Sequence, residues 1–327
     1  MKEILNHLFE YKTLSKEEAR SILSNLAQGK YNHSQVAAFI TVYLMRNITV
    51  SELEGFRDAM LELCVPVEFD GFDVIDLCGT GGDGKNTFNI STLASFIAAG
   101  AGVKVAKHGN YGVSSVSGSS NVLEHFGHKF TNNTDVLKKQ MDTSNICFLH
   151  APLFHPAMKN VAPIRRELGV KTFFNMLGPM VNPAKPQAQM VGVFSLELQR
   201  LYGYLYQQTS KRFAVVHALD GYDEISLTGD FKIITDQEES ILSPAALQME
   251  RLSQQDIFGG NTIEEAADIF KKVISGEGTK AQNNVVIANA GLAIKCYKQI
   301  SIEAALEEAR TSLESGKALS VFKKLTN

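Results

Sequence analysis

Residues 73–107 read DVIDLCGTGGDGKNTFNISTLASFIAAGAGVKVAK. Residues 74–78 form a short apolar run typical of a buried strand, and a glycine-rich loop follows at residues 79–84. An apolar helix is predicted over residues 91–101, ended by Gly102, and residues 103–107 predict a second strand. Strand, glycine loop, helix and strand in this order predict a βαβ unit, and hence a largely parallel sheet covered by helices.

The residues before this unit predict a helical region. Residues 15–18 (SKEE) and 49–52 (TVSE) both fit the capping box, in which a hydroxyl and a carboxylate satisfy free N–H groups at a helix start. Apolar side chains repeat with helical spacing over residues 36–43, and Asn47 suits the end of that helix. We therefore expect four short helices that end near Leu63.

The residues after this unit continue an α/β pattern. Residues 213–216 (FAVV) predict a further strand, residues 262–265 (TIEE) begin another helix, and two or three more helices complete the chain. The fold class is therefore predicted to be α/β. We expect a small N-terminal helical domain over residues 1–68 and a large α/β domain over residues 71–327, whose mostly parallel central sheet is covered by helices.

The overall composition excludes some classes of partner. A net charge of −3 and a pI near 6.3 give no general attraction to nucleic acid or to an anionic membrane. Four widely spaced cysteines without a Cys-x-x-Cys pair argue against a disulfide framework and a zinc site. The first residues lack the apolar core of a signal peptide, and the longest apolar run is too short to span a membrane. We expect a cytoplasmic protein.

The glycine loop at residues 79–84 is a candidate phosphate site. A strand that leads through glycines into a helix start presents free N–H groups and the positive end of the helix dipole. A tight turn without a ligand is the alternative, but the loop holds more glycine than a turn requires. The presence of Asp83 in an anion-binding loop is explained if a metal or a sugar hydroxyl lies between it and the phosphates.

Two well-known nucleotide motifs fit this loop only in part. Residues 79–84 have the dinucleotide spacing G-x-G-x-x-G, but residues 85–89 separate the last glycine from the predicted helix, and lysines stand where an acid should bind ribose. Residues 79–85 nearly complete a P-loop, but Asn86 replaces the hydroxyl residue that binds magnesium. The sequence therefore disfavours a nicotinamide enzyme and a P-loop NTPase.

Two further polar segments follow predicted strands. Residues 107–121 (KHGNYGVSSVSGSSN) offer a cation, an imidazole, an amide, hydroxyls and glycine N–H donors; a solvated linker is the alternative, but the position at a strand end favours a site. Asp223 and Glu224 follow the strand at residues 213–216. Adjacent carboxylates are often only a solvated turn, but beside phosphate-binding loops they suit magnesium, which takes one or two carboxylates with substrate phosphates and water.

At these motifs the sequence resembles the anthranilate phosphoribosyltransferases of tryptophan biosynthesis. The matching stretches cover nearly the whole chain and are GTGGD at 79–83, NIST at 89–92, KHGN at 107–110, SGS at 117–119, HPAM at 155–158, NMLGP at 175–179 and DE at 223–224. The resemblance implies a magnesium-dependent enzyme that transfers the 5-phosphoribosyl group of phosphoribosyl pyrophosphate to the amino group of anthranilate. It also implies a homodimer in which helices near residues 156–180 join the helical domain, with the active site in the cleft between the domains.

The resemblance further implies a set of site residues. Those expected to bind phosphoribosyl pyrophosphate are Gly79, Gly82, Asp83, Thr87, Asn89, Ile90, Ser91, Thr92, Lys107, His108, Gly109, Asn110, Tyr111, Gly112, Val113, Ser114, Ser115 and Ser119. Those expected to contact anthranilate are Gly79, Asn110 and Arg165, and those expected to hold two magnesium ions per subunit are Ser91, Asp223 and Glu224. No side chain is assigned as a catalytic acid or base, and His108 and His155 are expected in the pocket without a proton-transfer role.

The sequence departs from the family pattern at two places. Tyr111 stands where a basic residue is usual and cannot neutralise a phosphate, and Asn121 stands where an acid is common. Arg165 and Arg166 are expected to begin a basic helix, and such a pair is most often a surface face. An arginine fork can pair bidentately with a carboxylate, and the choice of Arg165 for that role rests on the resemblance.

Two alternatives belong to other functional classes. One is a relative that keeps the fold but binds nucleic acid without catalysis; the pI and the intact Asp223-Glu224 pair count against it. The other is a pyrimidine nucleoside phosphorylase, which is related in architecture. It would use inorganic phosphate in place of a pyrophosphate-bearing donor, and two metal-binding carboxylates would have little purpose there.

Overall fold

The computed structural model describes residues 1–112 and 115–326. The α-helices are α1 (Lys2–Phe9), α2 (Lys16–Ala27), α3 (His33–Met45), α4 (Val50–Leu63), α5 (Ile90–Gly100), α6 (Ser119–His125), α7 (Thr134–Ser144), α8 (Ala151–Phe154), α9 (Ala162–Leu168), α10 (Phe174–Leu177), α11 (Leu196–Gln207), α12 (Ile263–Ile274), α13 (Lys280–Lys298), α14 (Ile302–Glu314) and α15 (Lys317–Thr326). The strands are β1 (Ile75–Gly79), β2 (Val105–Gly109), β3 (Ile146–His150), β4 (Ala188–Gly192), β5 (Arg212–Ala218), β6 (Phe231–Thr235) and β7 (Glu239–Leu242).

The N-terminal helices begin where the sequence supplies caps. Ser15 and Thr49 accept hydrogen bonds from the backbone N–H groups of Glu18 and Glu52, whose carboxylates accept from the cap residues in return. Both predicted capping boxes and the four predicted helices are therefore confirmed. α3 begins with the same motif at Asn32, which the sequence analysis did not identify.

α3 ends earlier than predicted. Its last residue is Met45, and Arg46 follows in an extended conformation, so Asn47 is not a left-handed cap. The Arg46 guanidinium pairs with the carboxylate of Glu52, a fully buried residue of α4 that also accepts from the backbone N–H of Leu14 at 3.0 Å. An unpaired carboxylate would be costly at this depth, and Arg46, extended at the end of α3, supplies the partner.

The described strands form one seven-stranded sheet in the order β3-β2-β1-β4-β5-β6-β7. β1 to β5 run parallel, while β6 and β7 form an antiparallel edge, so the predicted mostly parallel sheet is confirmed. β1 and β2 begin one and two residues later than predicted and extend to Gly79 and Gly109, the first glycines of their loops. The direction of strand addition reverses between β1 and β4, which is where ligands bind in sheets of this kind.

α5 is buried on almost every side. Its residues from Thr92 to Ala99 are buried because the helix lies under the sheet and packs against α13, α14 and α15. These are three helices where two or three were predicted. The four cysteines are free, and Cys147 and Cys296 lie in the interior. Of the helices described, none has the length and apolarity needed to cross a bilayer.

A second apolar core lies in the helical domain and is completed by later parts of the chain. It joins α1 to α4 with residues of α9, α10 and α11. Phe173 stacks on Phe56 of α4 with 4.6 Å between the ring centroids, and it meets Phe39 and Tyr43 edge-on at 6.2 and 5.1 Å. Residues 161–181 therefore pack as part of the helical core although they follow β3 in the sequence.

Candidate active site

A cleft of about 290 Å³ opens where the loops after β1, β2 and β5 meet. Parallel strands bring these distant segments to one edge of the sheet. Most of the residues predicted to bind substrate or metal line this cleft: Gly79, Gly82, Asp83, Thr87, Asn89, Ser91, Thr92, Lys107, His108, Gly109, Asn110, Tyr111, Gly112, Ser115, Ser119, Arg165, Asp223 and Glu224.

Four predicted pocket residues stand apart from that group. Ile90 is 1% exposed and packs in the core of the α/β domain, because it begins α5 beneath the loop, so its side chain does not reach the cleft. His155 is also buried and does not line the cleft; its ring lies behind His108 with 5.3 Å between the centroids. Val113 and Ser114 lie outside the described residues.

The glycine loop is held open by the segment that follows it. Gly81, Gly82 and Gly84 all have positive φ values, which lets the loop turn tightly and present its backbone. The next residues reach across to the segment before α12, where the Asn86 amide donates to the Gly260 carbonyl at 2.7 Å. α5 begins only at Ile90, so the prediction that residues 85–89 separate the glycines from the helix is confirmed.

Asp223 and Glu224 tie the loop after β5 to the glycine loop and to α5. The Asp223 carboxylate accepts from the backbone N–H of Gly81 at 2.7 Å. The Glu224 carboxylate accepts from the backbone N–H of Ser91 at 3.0 Å. The acidic pair is therefore fixed by one backbone donor in the glycine loop and one at the start of α5, and the dipole of α5 favours the negative charge of Glu224.

Three buried carboxylates repel one another in this part of the cleft. Burial, together with the charge of Asp83, raises the pKa of Asp223 to about 7, and burial and the two aspartates raise the pKa of Glu224. Burial also raises the pKa of Asp83. Among the described residues, no lysine or arginine nitrogen lies within 4.0 Å of these three carboxylates. A divalent cation would remove this repulsion.

The donor set fits magnesium better than a metal enclosed by protein. The described residues contain no group of three His, Cys, Asp or Glu side chains arranged to hold a metal without other ligands. Asp223 and Glu224 supply carboxylate oxygens, and Ser91 of α5, whose backbone N–H donates to Glu224, lines the same cleft and carries a hydroxyl. Magnesium typically takes one or two carboxylates and completes its shell with phosphate oxygens and water.

The end of β2 carries a buried cation and a neutral imidazole. The Lys107 ammonium donates to the Leu77 carbonyl at 2.5 Å, and burial lowers the pKa of Lys107. The Nδ1 atom of His108 lies 3.1 Å from the Gly178 carbonyl, which makes Nδ1 the donor and leaves Nε2 as an acceptor. Burial lowers the pKa of His108 to about 4 and that of His155 to about 3, so neither ring is charged near neutral pH.

Asn121 explains one of the two departures from the family pattern. Its side-chain oxygen accepts from the backbone N–H groups of Gly112 and Gly118 at 2.9 and 3.0 Å, so it closes the base of the second loop. An amide oxygen fills this acceptor role as a carboxylate would. Tyr111 is partly exposed and packs edge-on against His150, while its hydroxyl donates to Glu124 at 3.4 Å.

The structure separates the two candidate arginines. Both lie in the last turn of α9, not at its start as predicted, because the helix begins at Ala162. Arg165 lines the cleft, lies over the Phe174 ring at 5.1 Å and donates to the Asn175 side-chain oxygen at 3.3 Å. Arg166 is exposed and does not line the cleft. Arg165 has no carboxylate within 4.0 Å among the described residues, and burial lowers its pKa.

Several residues that line the cleft were not predicted as site residues. They are Cys78, Thr80, Gly81, Lys85, Phe88, Ser117, Gly118, Ala151, Phe174, Asn175, Gly178 and Pro179. The NMLGP stretch at 175–179 was noted as a motif, but no chemistry in it pointed to a role. Phe174 has no signal at all in the sequence, because its position depends on the packing of α10 against the helical domain.

Comparison with known proteins identifies the family. The α/β domain of the glycosyl transferase family matches residues 71–319, and the helical bundle domain of that family matches residues 2–64. The anthranilate phosphoribosyltransferase of Flavobacterium psychrophilum is 61% identical over 325 residues, which cover 99% of this chain and 98% of that protein. This chain belongs to the anthranilate phosphoribosyltransferase family.

Solved structures of the same family agree with the fold. The anthranilate phosphoribosyltransferase of Thermus thermophilus superposes with a TM-score of 0.92 at 31% identity and covers 98% of each chain. That of Saccharomyces cerevisiae, solved in complex with PRPP and Mg, has a TM-score of 0.90 at 25% identity and covers 98% of this chain and 95% of its own. The enzyme class and fold class predicted from the motifs are therefore confirmed, and neither alternative is favoured.

The geometry around Gly79 gives a first prediction. A Cβ at Gly79 would lie 2.5 Å from the Asp223 carboxylate oxygen, so Gly79→Ala must displace that carboxylate from its contact with Gly81. We expect a folded protein that needs a higher magnesium concentration for half-maximal activity. Gly203→Ala in α11 is the control, since its added Cβ would lie 3.4 Å from the Ile234 side chain, which is an ordinary van der Waals contact. A magnesium dependence unchanged by Gly79→Ala would contradict this account.

Proposed function

We propose that this chain transfers the 5-phosphoribosyl group of phosphoribosyl pyrophosphate to the amino group of anthranilate in the cleft between its domains. The proposal rests on one observation: the cleft holds carboxylates and an arginine that form no ion pair with other described residues. Within residues 1–112 and 115–326, no lysine or arginine nitrogen lies within 4.0 Å of the Asp223 or Glu224 carboxylate, and no carboxylate oxygen lies within 4.0 Å of the Arg165 guanidinium. A magnesium-bound pyrophosphate and a carboxylate-bearing acceptor supply the cation and the carboxylate.

The donor is proposed to lie on the loops after β1 and β2. The N–H groups of the glycine loop and of the start of α5, other than those of Gly81 and Ser91, suit phosphate oxygens. The hydroxyls of Ser91, Thr92 and Ser119 add donors. Lys107 contributes a cation whose only described acceptor is a backbone carbonyl, so it is free to attract a phosphate charge. Thr87, Asn89 and His108 complete the wall around the sugar.

Magnesium is proposed at Asp223, Glu224 and Ser91, with two ions per subunit. When bound, magnesium would supply electrostatic stabilisation of the pyrophosphate as it leaves. The chain's own contribution is to fix the two carboxylates through the backbone N–H groups of Gly81 and Ser91, so that they do not reorganise during the reaction.

The proposed reaction is a displacement at the anomeric carbon with inversion. The amine nitrogen forms a bond to that carbon while the carbon–oxygen bond to pyrophosphate breaks and its electron pair leaves with the pyrophosphate. The proton of the resulting ammonium is lost to water, so no strong base is needed. Alignment of the two substrates by the cleft can supply several kcal/mol, on the order of 7–11 in well-oriented cases.

Neutralising the acidic pair tests the metal site. Asp223→Asn with Glu224→Gln keeps the acceptors for Gly81 and Ser91 but removes both charges, so turnover should fall about 100-fold or more. Turnover is followed as the magnesium-dependent loss of anthranilate fluorescence with phosphoribosyl pyrophosphate. Without magnesium, the melting temperature of the double variant should not fall below that of the unchanged protein, because the repulsion between the two carboxylates is removed.

Asp220→Asn is the matched control for the acidic pair. Asp220 lies in the same loop, but its carboxylate accepts from the Thr228 hydroxyl at 2.5 Å and does not line the cleft. Its variant should keep the magnesium dependence of the unchanged protein. The absence of magnesium-dependent turnover in the unchanged protein would overturn the proposed function, and full activity of the double variant would overturn only the metal site.

Arg165→Ala tests the acceptor site. Charge-assisted hydrogen bonds contribute roughly 1.5–3 kcal/mol each, so kcat/KM for anthranilate should fall about 10- to 150-fold. The loss should appear in the KM for anthranilate if the contact is equally strong in the ground and transition states. The KM for the donor should change little, and Arg165→Lys should recover only part of the loss, since a point charge does not reproduce the planar fork.

Arg166→Ala is the internal control for that experiment. Arg166 occupies the same turn of α9 but is exposed and outside the cleft. Its variant should retain normal kinetics for both substrates. If Arg166→Ala lowers kcat/KM for anthranilate, the acceptor site is misplaced. The same conclusion follows if both variants lower kcat/KM only for the donor.

We further propose two domains. The helical domain comprises residues 1–68 with the helices near residues 156–180, and residues 71–327 form the α/β domain. We also propose that the helical domain pairs with a second copy of the chain. α3 is apolar around most of its circumference, and Leu44 and Met45 at its end are exposed, as are Phe9 and Tyr11 at the end of α1. A contiguous patch of exposed apolar side chains marks an interaction surface, and we propose that these four residues contribute to one.

Light scattering tests the proposed dimer. We expect a mass twice the 35.9 kDa of the chain, and Met45→Asp should shift the protein toward the monomer. Ile241→Asp is the control, since Ile241 is 61% exposed on β7 of the α/β domain. If the unchanged protein is a monomer, the proposed dimer is wrong. If the dimer persists in Met45→Asp but dissociates in Ile241→Asp, the assigned surface is wrong.

A further inference from the structure

A second cavity lies at the junction of the helical and α/β domains, behind the sheet. Its volume is about 240 Å³, and it shares no lining residue with the cleft. α4 forms one wall, and the beginnings of β4 and β5 form the other, where Gln189 and Lys211 are found. The cavity thus lies at the N-terminal ends of strands whose C-terminal ends face the active site.

The walls of this cavity carry an excess of positive charge. Arg57, Lys185 and Lys211 line it with a single carboxylate, Asp58. Arg57 is already paired with Asp58 at 2.7 Å. Neither Lys185 nor Lys211 has a carboxylate oxygen within 4.0 Å among the described residues.

Lys211 is the cation whose environment most needs an anion. Its ammonium lies 5.7 Å from the centroid of the Tyr206 ring, a weak substitute for an ion pair. Burial lowers the pKa of Lys211 to about 8, because the charged form loses water without gaining a carboxylate partner. An anion in the cavity would restore that stabilisation.

Two buried polar atoms in the same walls also have no partner among the described residues. They are the Tyr206 hydroxyl and the side-chain oxygen of Gln189, in residues that are 3% and 1% exposed. The Gln189 amide nitrogen donates to Asp76 at 3.2 Å, which fixes its oxygen as the free end. Leaving such groups unsatisfied is costly, and a ligand that accepts one hydrogen bond and donates another would satisfy both.

We propose that this cavity is a second anion site, distinct from the cleft, that binds a phosphate group. Monohydrogen phosphate and phosphate monoesters carry charged oxygens for Lys185, Lys211 and the Tyr206 hydroxyl. A protonated phosphate oxygen, or a sugar hydroxyl of an ester, donates to the Gln189 oxygen. Sulfate has the same shape but no proton at neutral pH, so it satisfies only the cationic part of the site.

The site lies directly against residues that hold the catalytic loop. Asp76, to which Gln189 donates, accepts from the backbone N–H of His108 at 3.0 Å. Asn182, another wall residue, donates to the Ala106 carbonyl of β2 at 2.8 Å. A phosphate in the cavity is therefore two side chains away from the end of β2 that lines the cleft.

Calorimetric titration with inorganic phosphate tests the proposal. The titration is run without phosphoribosyl pyrophosphate and magnesium, because the donor is itself a phosphate ester that could fill the cavity. Phosphate binding that the two cavity variants leave unchanged is assigned to the cleft. We expect a saturable isotherm for phosphate, with weaker binding of sulfate. Lys211→Met should weaken phosphate binding about tenfold or more, as should Lys185→Met, which changes an exposed residue and leaves the core intact.

Lys280→Met is the matched control, since Lys280 is a surface lysine that pairs with Glu250 and does not line the cavity. Titration with ribose 5-phosphate separates the two sources: tighter binding than phosphate assigns the site to esters, and the reverse order assigns it to free phosphate. No saturable binding of either ligand, or equal phosphate affinity in both cavity variants and the control, overturns the proposal. Because the cavity variants leave the cleft unchanged, this outcome is independent of the proposed reaction.

Discussion

Gly79 and Gly192 stand opposite each other at the ends of β1 and β4, and the room left by their missing side chains is occupied by Asp223. A Cβ on Gly192 would lie 1.4 Å from the Asp223 carbonyl oxygen, and one on Gly79 would lie 2.5 Å from its carboxylate. This close approach happens where strand addition reverses, so the loop after β5 can press against the glycine loop after β1. The acidic pair, the start of α5 and the shape of the cleft all depend on it.

The site is assembled from charges that its own residues do not balance. The carboxylates near α5 repel one another, while Lys107 and Arg165 are desolvated and have no acid within 4.0 Å in the part of the chain that the structure describes. Such an arrangement lowers the stability of the empty protein and favours ligands of the opposite charge. The negative and positive charges also lie on different segments of the chain. The acids follow β5, and Arg165 belongs to α9, which packs with the helical core. Bringing the two substrates together thus requires a fixed position of the helical domain relative to the α/β domain.

The sequence predicted much of the fold because its local signals agree with the final structure. Capping residues, glycines after strands and the apolar period of α5 each act within a few residues, so they could be read directly. The order of the strands and the packing of Phe173 on α4 could not be read, since both depend on contacts between distant residues. The same limit explains Ile90 and His155: each stands in a motif beside the cleft, but the direction of its side chain is decided by packing. The placement of Arg165 apart from Arg166 depends likewise on the rotation of α9.

The completion of the helical core by residues 161–181 has a consequence for the biosynthesis of the chain. A ribosome releases Phe56 more than a hundred residues before Phe173, and the whole of β1, β2 and β3 emerges between them. At about 5–20 residues per second, the first four helices wait for roughly 6–25 s with one apolar face uncovered. During translation that face is open to chaperones and to other nascent chains. The order of synthesis therefore leaves the oldest part of the molecule among the last to finish folding.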